Sequence, residues 1–137
     1  MKNLFFLLAS ILLFSCTTEK NTVVHRTFHN LHAKYNGFFN ANEIIKSTYN
    51  TFDIKRTEDY TELLPIYPLP DKDESKNWYS PMDTAAAKCE LVIFKHRMPH
   101  SKKGRSRNKE WCSLIDDNWM SIAQTKFYKQ EYGKALK

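Results

Sequence analysis

The stretch NTVVHRTFHNLHAKYNGFFNANEIIKSTYNTF, residues 21–52, carries apolar side chains at steps of mostly three and four residues. These side chains are Val24, Phe28, Leu31, Tyr35, Phe38, Phe39, Ile45, Tyr49 and Phe52. The spacing is that of one face of an α-helix, and Thr22 is a candidate cap for its start. At about 1.5 Å per residue, the helix from Val24 to Phe52 is about 44 Å long. The pattern predicts a long helix that buries this face, with a kink or a close helix contact at the central Gly37.

The composition predicts an all-α protein rather than a turn-rich β-sandwich. Glycine is scarce, at 3 of 137 residues, whereas good helix formers are frequent. The sequence has no G-x-S-x-G motif, no phosphate-loop glycine pattern and no four-cysteine metal spacing. Asp116 and Asp117 are adjacent, and neighbours on a helix point about 100° apart, so they do not share one site. We therefore expect a non-catalytic protein without a cofactor.

The amino terminus has the pattern of a lipoprotein signal. An apolar run from Leu4 to Phe14 follows one early lysine, and it is too short to span a membrane as a mature helix. The tail Leu13-Phe14-Ser15-Cys16 resembles a bacterial lipobox, which predicts cleavage before Cys16 and lipidation of that residue. The alternative is an ordinary secretory signal with an incidental cysteine.

Four segments follow from these patterns. They are a signal peptide (1–15), a lipidated cysteine and tether (16–21), a helical amino-terminal cap region (22–110) and a partial tetratricopeptide-like repeat (111–137). Within the cap region, residues 57–80 form an irregular proline-rich connector. We expect Leu63, Leu64, Ile66 and Tyr67 of the connector to cover part of the core.

A second helix is predicted to start at Ser80, with Pro81 at its first position. Its buried face consists of Met82, Ala86, Cys89 and Ile93. A third helix is expected to begin near Asn108 or Lys109, with a stripe of Trp111, Ile115, Trp119 and Ile122. A secreted location permits a Cys89–Cys112 disulfide, but both cysteines occupy apolar-facing positions, which favours two buried thiols.

Residues 97–109 form a basic loop. Its candidate contacts to an anionic surface are Lys102, Lys103, Arg105 and Arg107, because basic residues near anionic lipid bind it favourably. The other interpretation is a solvated loop. The secreted location and the lack of interleaved aromatic residues argue against nucleic acid as a partner.

Three histidines share one face of the first helix. His25, His29 and His32 fall at i, i+4 and i+7, a spacing that can hold a transition metal. No acidic residue joins them and no HExxH arrangement exists. We therefore favour histidines that pack against a neighbouring helix, with no metal.

The carboxyl-terminal stretch fits the start of a tetratricopeptide repeat. Aligning residues 116–137 on that pattern puts Trp119 at the tryptophan position, Ile122 and Ala123 at the leucine–glycine pair and Ala135 at the alanine of the second helix. The repeat is incomplete, since its second helix has only begun. We therefore expect one set of residues to bind a partner or to pack on a following repeat: Trp119, Ile122, Phe127 and Tyr132.

Together, the lipobox, NTVVHRTFHNLHAKYNGFFNANEIIK (21–46), DYTELLPIYPLP (59–70) and IDDNWMSIAQTKFYKQEYGKAL (115–136) resemble the amino-terminal region of the SprE/PorW lipoproteins of Bacteroidetes. The resemblance implies a lipid-anchored scaffold at the periplasmic face of the outer membrane, required for type IX protein secretion and gliding motility. It implies other type IX secretion components and following tetratricopeptide-like repeats as partners, and no catalytic residues. The alternative is a helical glycan-binding outer-membrane lipoprotein of the SusD type, with Trp78, Tyr79, Trp111 and Trp119 as aromatic platforms.

Overall fold

A computed structural model describes residues 22–98 and 110–136, and every regular element within those ranges is helical. The predicted all-α class is confirmed. The elements in chain order are α1 (Val23–His32), a π segment (Ala33–Phe38), α2 (Phe39–Lys55), a 3-10 helix (Glu74–Trp78), α3 (Tyr79–His96), α4 (Ile115–Tyr128) and α5 (Tyr132–Ala135).

The first three elements form one unbroken helical stretch, as the apolar spacing predicted. Thr22 caps its start, because its side chain accepts a hydrogen bond from the His25 N–H at 3.5 Å. The π segment widens one turn in the middle of this stretch. Gly37 lies in that turn and makes the predicted close helix contact, since a Cβ at this position would overlap Val92 Cγ2 of α3.

The buried face of this stretch differs from the predicted one in its first half. Ala33 and Ala41 are fully buried on either side of Gly37, whereas the larger members of the predicted stripe are exposed: Val24, Phe28, Leu31, Tyr35 and Phe39. Small side chains allow α3 to approach closely, and bulky ones on that side would hold the two helices apart. In the second half Ile45 is buried and Tyr49 is partly buried, as predicted.

The connector is irregular only up to Asp73, because the 3-10 helix starts at Glu74 and runs directly into α3. The predicted cap at Ser80 is therefore wrong. Ser80 and Pro81 lie in the first turn of α3, where proline is tolerated because its missing N–H has no partner inside the helix.

The connector also covers the core differently from the prediction. Leu63 and Ile66 are fully exposed, Leu64 is 41% exposed, and Leu69 packs against the core instead. Tyr67 is half exposed, but its hydroxyl oxygen lies 2.5 Å from that of Tyr128. Within the connector, the contacts with the core come from its later part, at Tyr67 and Leu69.

The long helical stretch, α3 and α4 pack side by side in alternating directions. The contact of Gly37 with Val92 and that of Tyr49 with Trp78 make the first pair antiparallel. For the second pair, the ammonium group of Lys129, just after α4, lies 2.7 Å from Asp83 near the start of α3. Two core clusters lie between the helices, and they contain Met82, Cys89 and Ile93 of the predicted α3 face. Ala86, the fourth member of that face, is buried as well.

The start of α4 lies later than predicted. It begins at Ile115, so Trp111 precedes the helix and does not belong to its stripe. Asp116 and Asp117 lie exposed in the first turn, where negative charge is favourable.

The end of the described chain is a tight turn followed by one helical turn. Gln130 adopts a positive φ of 59°, and α5 covers only Tyr132–Ala135. In the described residues α4 packs chiefly on α3. The tetratricopeptide-like arrangement of α4 and α5 therefore stays a prediction. Within residues 22–98 and 110–136, no helix is both long and apolar enough to cross a membrane.

Candidate functional site

An apolar opening lies between α3 and α4, and we call it the Phe94–Trp119 groove. Its volume is about 440 Å³, and its lining residues are Glu90, Ile93, Phe94, Arg97 and Trp119. Phe94 is 84% exposed and Trp119 is 55% exposed. The antiparallel packing brings the last turns of α3 beside the first turns of α4, so two large aromatic side chains stand at a solvent-facing helix junction.

Hydrogen bonds fix the two chain segments that border this groove. One carboxylate oxygen of Glu110 accepts the backbone N–H groups of Met98, Trp111 and Cys112 at 2.5, 3.1 and 3.3 Å. Its other oxygen lies 3.7 Å from Nε of Arg97. The exit from α3 and the approach to α4 are thereby tied to one side chain, which holds the groove in shape.

Asn30 of α1 adds a second brace behind the groove. Its side-chain oxygen accepts hydrogen bonds from the backbone N–H and the hydroxyl of Ser113, both at 2.9 Å. Its amide group donates to the Trp111 carbonyl at 3.2 Å. No sequence pattern indicates this role, because an asparagine inside a helix pattern is normally exposed.

The four residues predicted to bind a partner or a following repeat do not lie on one surface. Trp119 lies in the Phe94–Trp119 groove, and Ile122 packs against both core clusters. Phe127 lies at the other end of α4, where its ring contacts those of Tyr67 and Tyr132 with centroids 5.9 and 5.6 Å apart. Trp119 and the exposed Tyr132 therefore belong to separate surfaces.

Two of the predicted aromatic platforms are engaged inside the fold. Trp78 is buried and packs edge-on against Tyr49 and Tyr128, with centroids 6.3 and 5.6 Å apart. The guanidinium carbon of Arg26 lies 3.5 Å from the centre of the Trp111 ring, a cation–π contact. Trp119 is the tryptophan with the most exposed ring.

Two of the three α1 histidines, His29 and His32, pack against α3, as favoured from the sequence. His29 is buried, and its Nδ1 lies 3.0 Å from Nδ1 of His96. The ring of His32 stacks on that of His96 at a centroid distance of 6.2 Å, whereas His25 lies beside its own cap residue Thr22. In the described part of the chain, no three His, Cys, Asp or Glu side chains are placed to hold one metal ion.

His96 was missed by the sequence analysis, since a lone histidine at a helix end carries no pattern. Burial lowers the pKa of His96, and the positive charges of His29, His32 and Lys95 lower it further.

Cys89 and Cys112 are free and buried, as the sequence favoured. They belong to different core clusters. Burial raises the pKa of Cys89 to about 11 and also raises that of Cys112, so both thiols stay protonated and weakly reactive at neutral pH.

Several predicted site residues lie outside the described ranges. They are the lipidation residue Cys16 and the four candidate contacts to an anionic surface, Lys102, Lys103, Arg105 and Arg107.

No protein-family model matches this chain, and no curated protein sequence is significantly similar to it.

Proposed function

We propose that this protein is a lipid-anchored, non-catalytic scaffold of the type IX secretion and gliding machinery, held at the periplasmic face of the outer membrane. It acts by protein–protein contact. The observation that carries the proposal is the Phe94–Trp119 groove, where two large aromatic side chains remain exposed beside a braced helix junction.

Exposed aromatic residues in a concave surface are typical of a binding site. Tryptophan is enriched among the residues that dominate interface energies, and burying one aromatic side chain removes roughly 150–250 Å² from water. Exposed apolar side chains that lie next to one another also mark interaction surfaces. Phe94 and Trp119 meet both conditions.

The shape and charge of the groove favour an amphipathic helix of a partner protein as its occupant. A groove between two helices accepts the apolar face of a third. Glu90 and Arg97 stand at its border with opposite charges, which favours a partner helix that carries a basic and an acidic residue at matching positions. The exposed stripe of α1 supplies a second apolar surface for the same assembly.

The lipobox supports anchoring, and the resemblance to the SprE/PorW lipoproteins supports the secretion machinery as the setting. Glycan binding has less support, because Trp78 is buried and the ring of Trp111 is covered by Arg26. A glycan platform needs an accessible ring face.

The test is secretion in the bacterium that encodes the chain. Deleting the gene is expected to leave exported proteins inside the cell, and the intact gene should restore their export. Phe94→Asp should fail to restore it, because a carboxylate in the groove opposes an apolar partner. Ile54→Asp is the matched control, since Ile54 is also 84% exposed and also lies in the last turn of its helix, α2.

Both variants should give the helical circular dichroism of the wild-type protein. Normal export in the deletion strain would refute the role in type IX secretion. Full restoration of export by Phe94→Asp would refute the groove as the partner surface.

A further inference from the structure

A second cleft lies on the opposite side of α3, against α1 and the π segment. It has a volume of about 360 Å³ and is lined by Lys88, Lys95 and His96 of α3 and by His32 and Asn36 across from them. Volumes of this size suit small ligands. Each ionisable side chain that lines it within residues 22–98 is a cation or becomes one on protonation.

Two local features shape this cleft. Its wall is the π segment, and single π turns inside α-helices are often found at functional sites. Gly37 in that turn lets Val92 approach without a clash. Exposed Leu91 and buried Val92 supply an apolar part of the lining.

The imidazoles are held in place by partners that are not acidic. Nδ1 of His96 lies 3.0 Å from Nδ1 of His29, and Nδ1 of His32 lies 2.9 Å from the side-chain nitrogen of Asn36. The two rings that face the cleft stack at an interplanar angle of 14°. The cleft thus concentrates donors and positive charge without a carboxylate in its lining.

We propose that this cleft binds a phosphate monoester group, with Lys88 and Lys95 supplying the charge and His32, His96 and Asn36 supplying hydrogen bonds. A dianion matches two lysines and two protonatable imidazoles, and charge-assisted hydrogen bonds to phosphate are the strong kind. The group belongs either to a small soluble metabolite or to a lipid headgroup, whose acyl chain would contact Leu91.

Binding should depend on the ionisation of His96. The groups that face it are His29 and His32 from α1 and Lys95 from its own helix, with Lys88 in the same lining. All of these groups disfavour protonation of His96 in the empty cleft. A bound dianion favours its protonation instead. Affinity for a ligand of constant charge should therefore rise as pH falls below the ordinary histidine range, with uptake of a proton.

Calorimetric titration of the full chain tests the proposal. Glycerol 3-phosphate and soluble dihexanoyl phosphatidic acid are the two phosphate monoester probes, and sulfate is the probe for pH because its charge is constant. The double variant Lys88→Gln/Lys95→Gln should weaken binding of each probe at least about tenfold. The matched control is Lys46→Gln/Lys55→Gln, which removes two exposed lysines of α2 and should leave binding unchanged.

The two phosphate probes distinguish the sources. Equal affinities favour a soluble phosphate ester, and binding of the lipid at least about tenfold more tightly favours a headgroup. Sulfate should bind more tightly at pH 5.5 than at pH 8, and His96→Gln should reduce that difference, whereas an unchanged difference would exclude His96 from the site.

Absence of binding by all three probes would overturn the proposal, as would an equal loss of affinity in the test and control variants. The exposed Lys95 is also replaced alone by glutamine, so that a folding defect of the double variant does not decide the result.

Discussion

Replacing Gly37 by alanine tests the packing that sets the fold. The added Cβ would overlap Val92 Cγ2, and it would lie 3.3 Å from Val92 Cβ and 3.7 Å from the Lys88 carbonyl oxygen. Valine in a helix has one strongly preferred side-chain rotamer, so Val92 does not rotate away easily. The helices therefore have to separate or the core has to adjust.

Two opposing effects decide how far Gly37→Ala changes the free energy of unfolding. Alanine at a helical position gains up to about 1 kcal/mol over glycine, whereas overpacking a core costs about 1–3 kcal/mol. The overlap at Val92 is with a β-branched side chain that is itself buried, so we take the upper part of that range. We expect Gly37→Ala to lower the free energy of unfolding by about 1–2 kcal/mol.

A double-mutant cycle isolates the contact. Val92→Ala alone should cost about 2 kcal/mol through lost burial and a small cavity. In that background the space at residue 92 is open, so Gly37→Ala should become neutral or stabilising by up to about 1 kcal/mol. The measurement is urea unfolding followed by circular dichroism.

Gly133 supplies the matched control. It also lies in a helix, α5, and a Cβ there would meet no atom within 4 Å. Gly133→Ala should therefore leave stability unchanged or raise it. If Gly37→Ala stabilises the wild-type protein by as much as Gly133→Ala, the close approach of the π segment to α3 is wrong.

Three further predictions concern titratable groups. Because the pKa of His96 is lowered in the folded state, unfolding takes up a proton as pH falls below about 6.5. Stability should therefore drop on acidification in the absence of a bound anion. His96→Gln should reduce the slope of the urea unfolding midpoint against pH. Tyr128→Phe should cost about 1 kcal/mol, because it removes the buried hydroxyl that lies 2.5 Å from that of Tyr67; Tyr67→Phe should cost about the same in urea unfolding, and no loss in either would exclude that hydrogen bond. Cys89 and Cys112 should react with a thiol reagent only after urea unfolding, since burial raises both pKa values; rapid labelling of the native protein would contradict their burial.

The helical spacing predicts the buried face correctly where side-chain size and polarity point to the same face. The α3 face from Met82 to Ile93 is one case, because its members are both apolar and compact. In the first half of the long helical stretch, side-chain size and polarity point to different faces. The bulky residues formed the visible stripe, but the close approach to α3 selected Ala33, Gly37 and Ala41 for the interior.

Boundaries and long-range partners were harder to predict. Ser80 and Pro81 form a good start signal, yet the preceding 3-10 helix supplies the first turn, and so the cap was not needed. His96 and Asn30 have roles that depend on residues 67 and 83 positions away in sequence. A single sequence carries no periodic signal for such contacts.

The candidate site was predicted in part. The repeat pattern points to Trp119, but no pattern in the sequence points to Phe94, its neighbour in the groove. The exposure of both side chains depends on how α3 and α4 cross, which only the packed structure defines.

The central claim is that the Phe94–Trp119 groove holds a partner from the type IX secretion machinery. The direct measurement is site-specific photo-crosslinking in living cells, with a photoreactive amino acid at position 94 and, as the control, at the equally exposed position 54. We predict that position 94 crosslinks to a type IX secretion component, identified by mass spectrometry, and that position 54 does not. Equal crosslinking from both positions, or no secretion component captured from position 94, would contradict the claim.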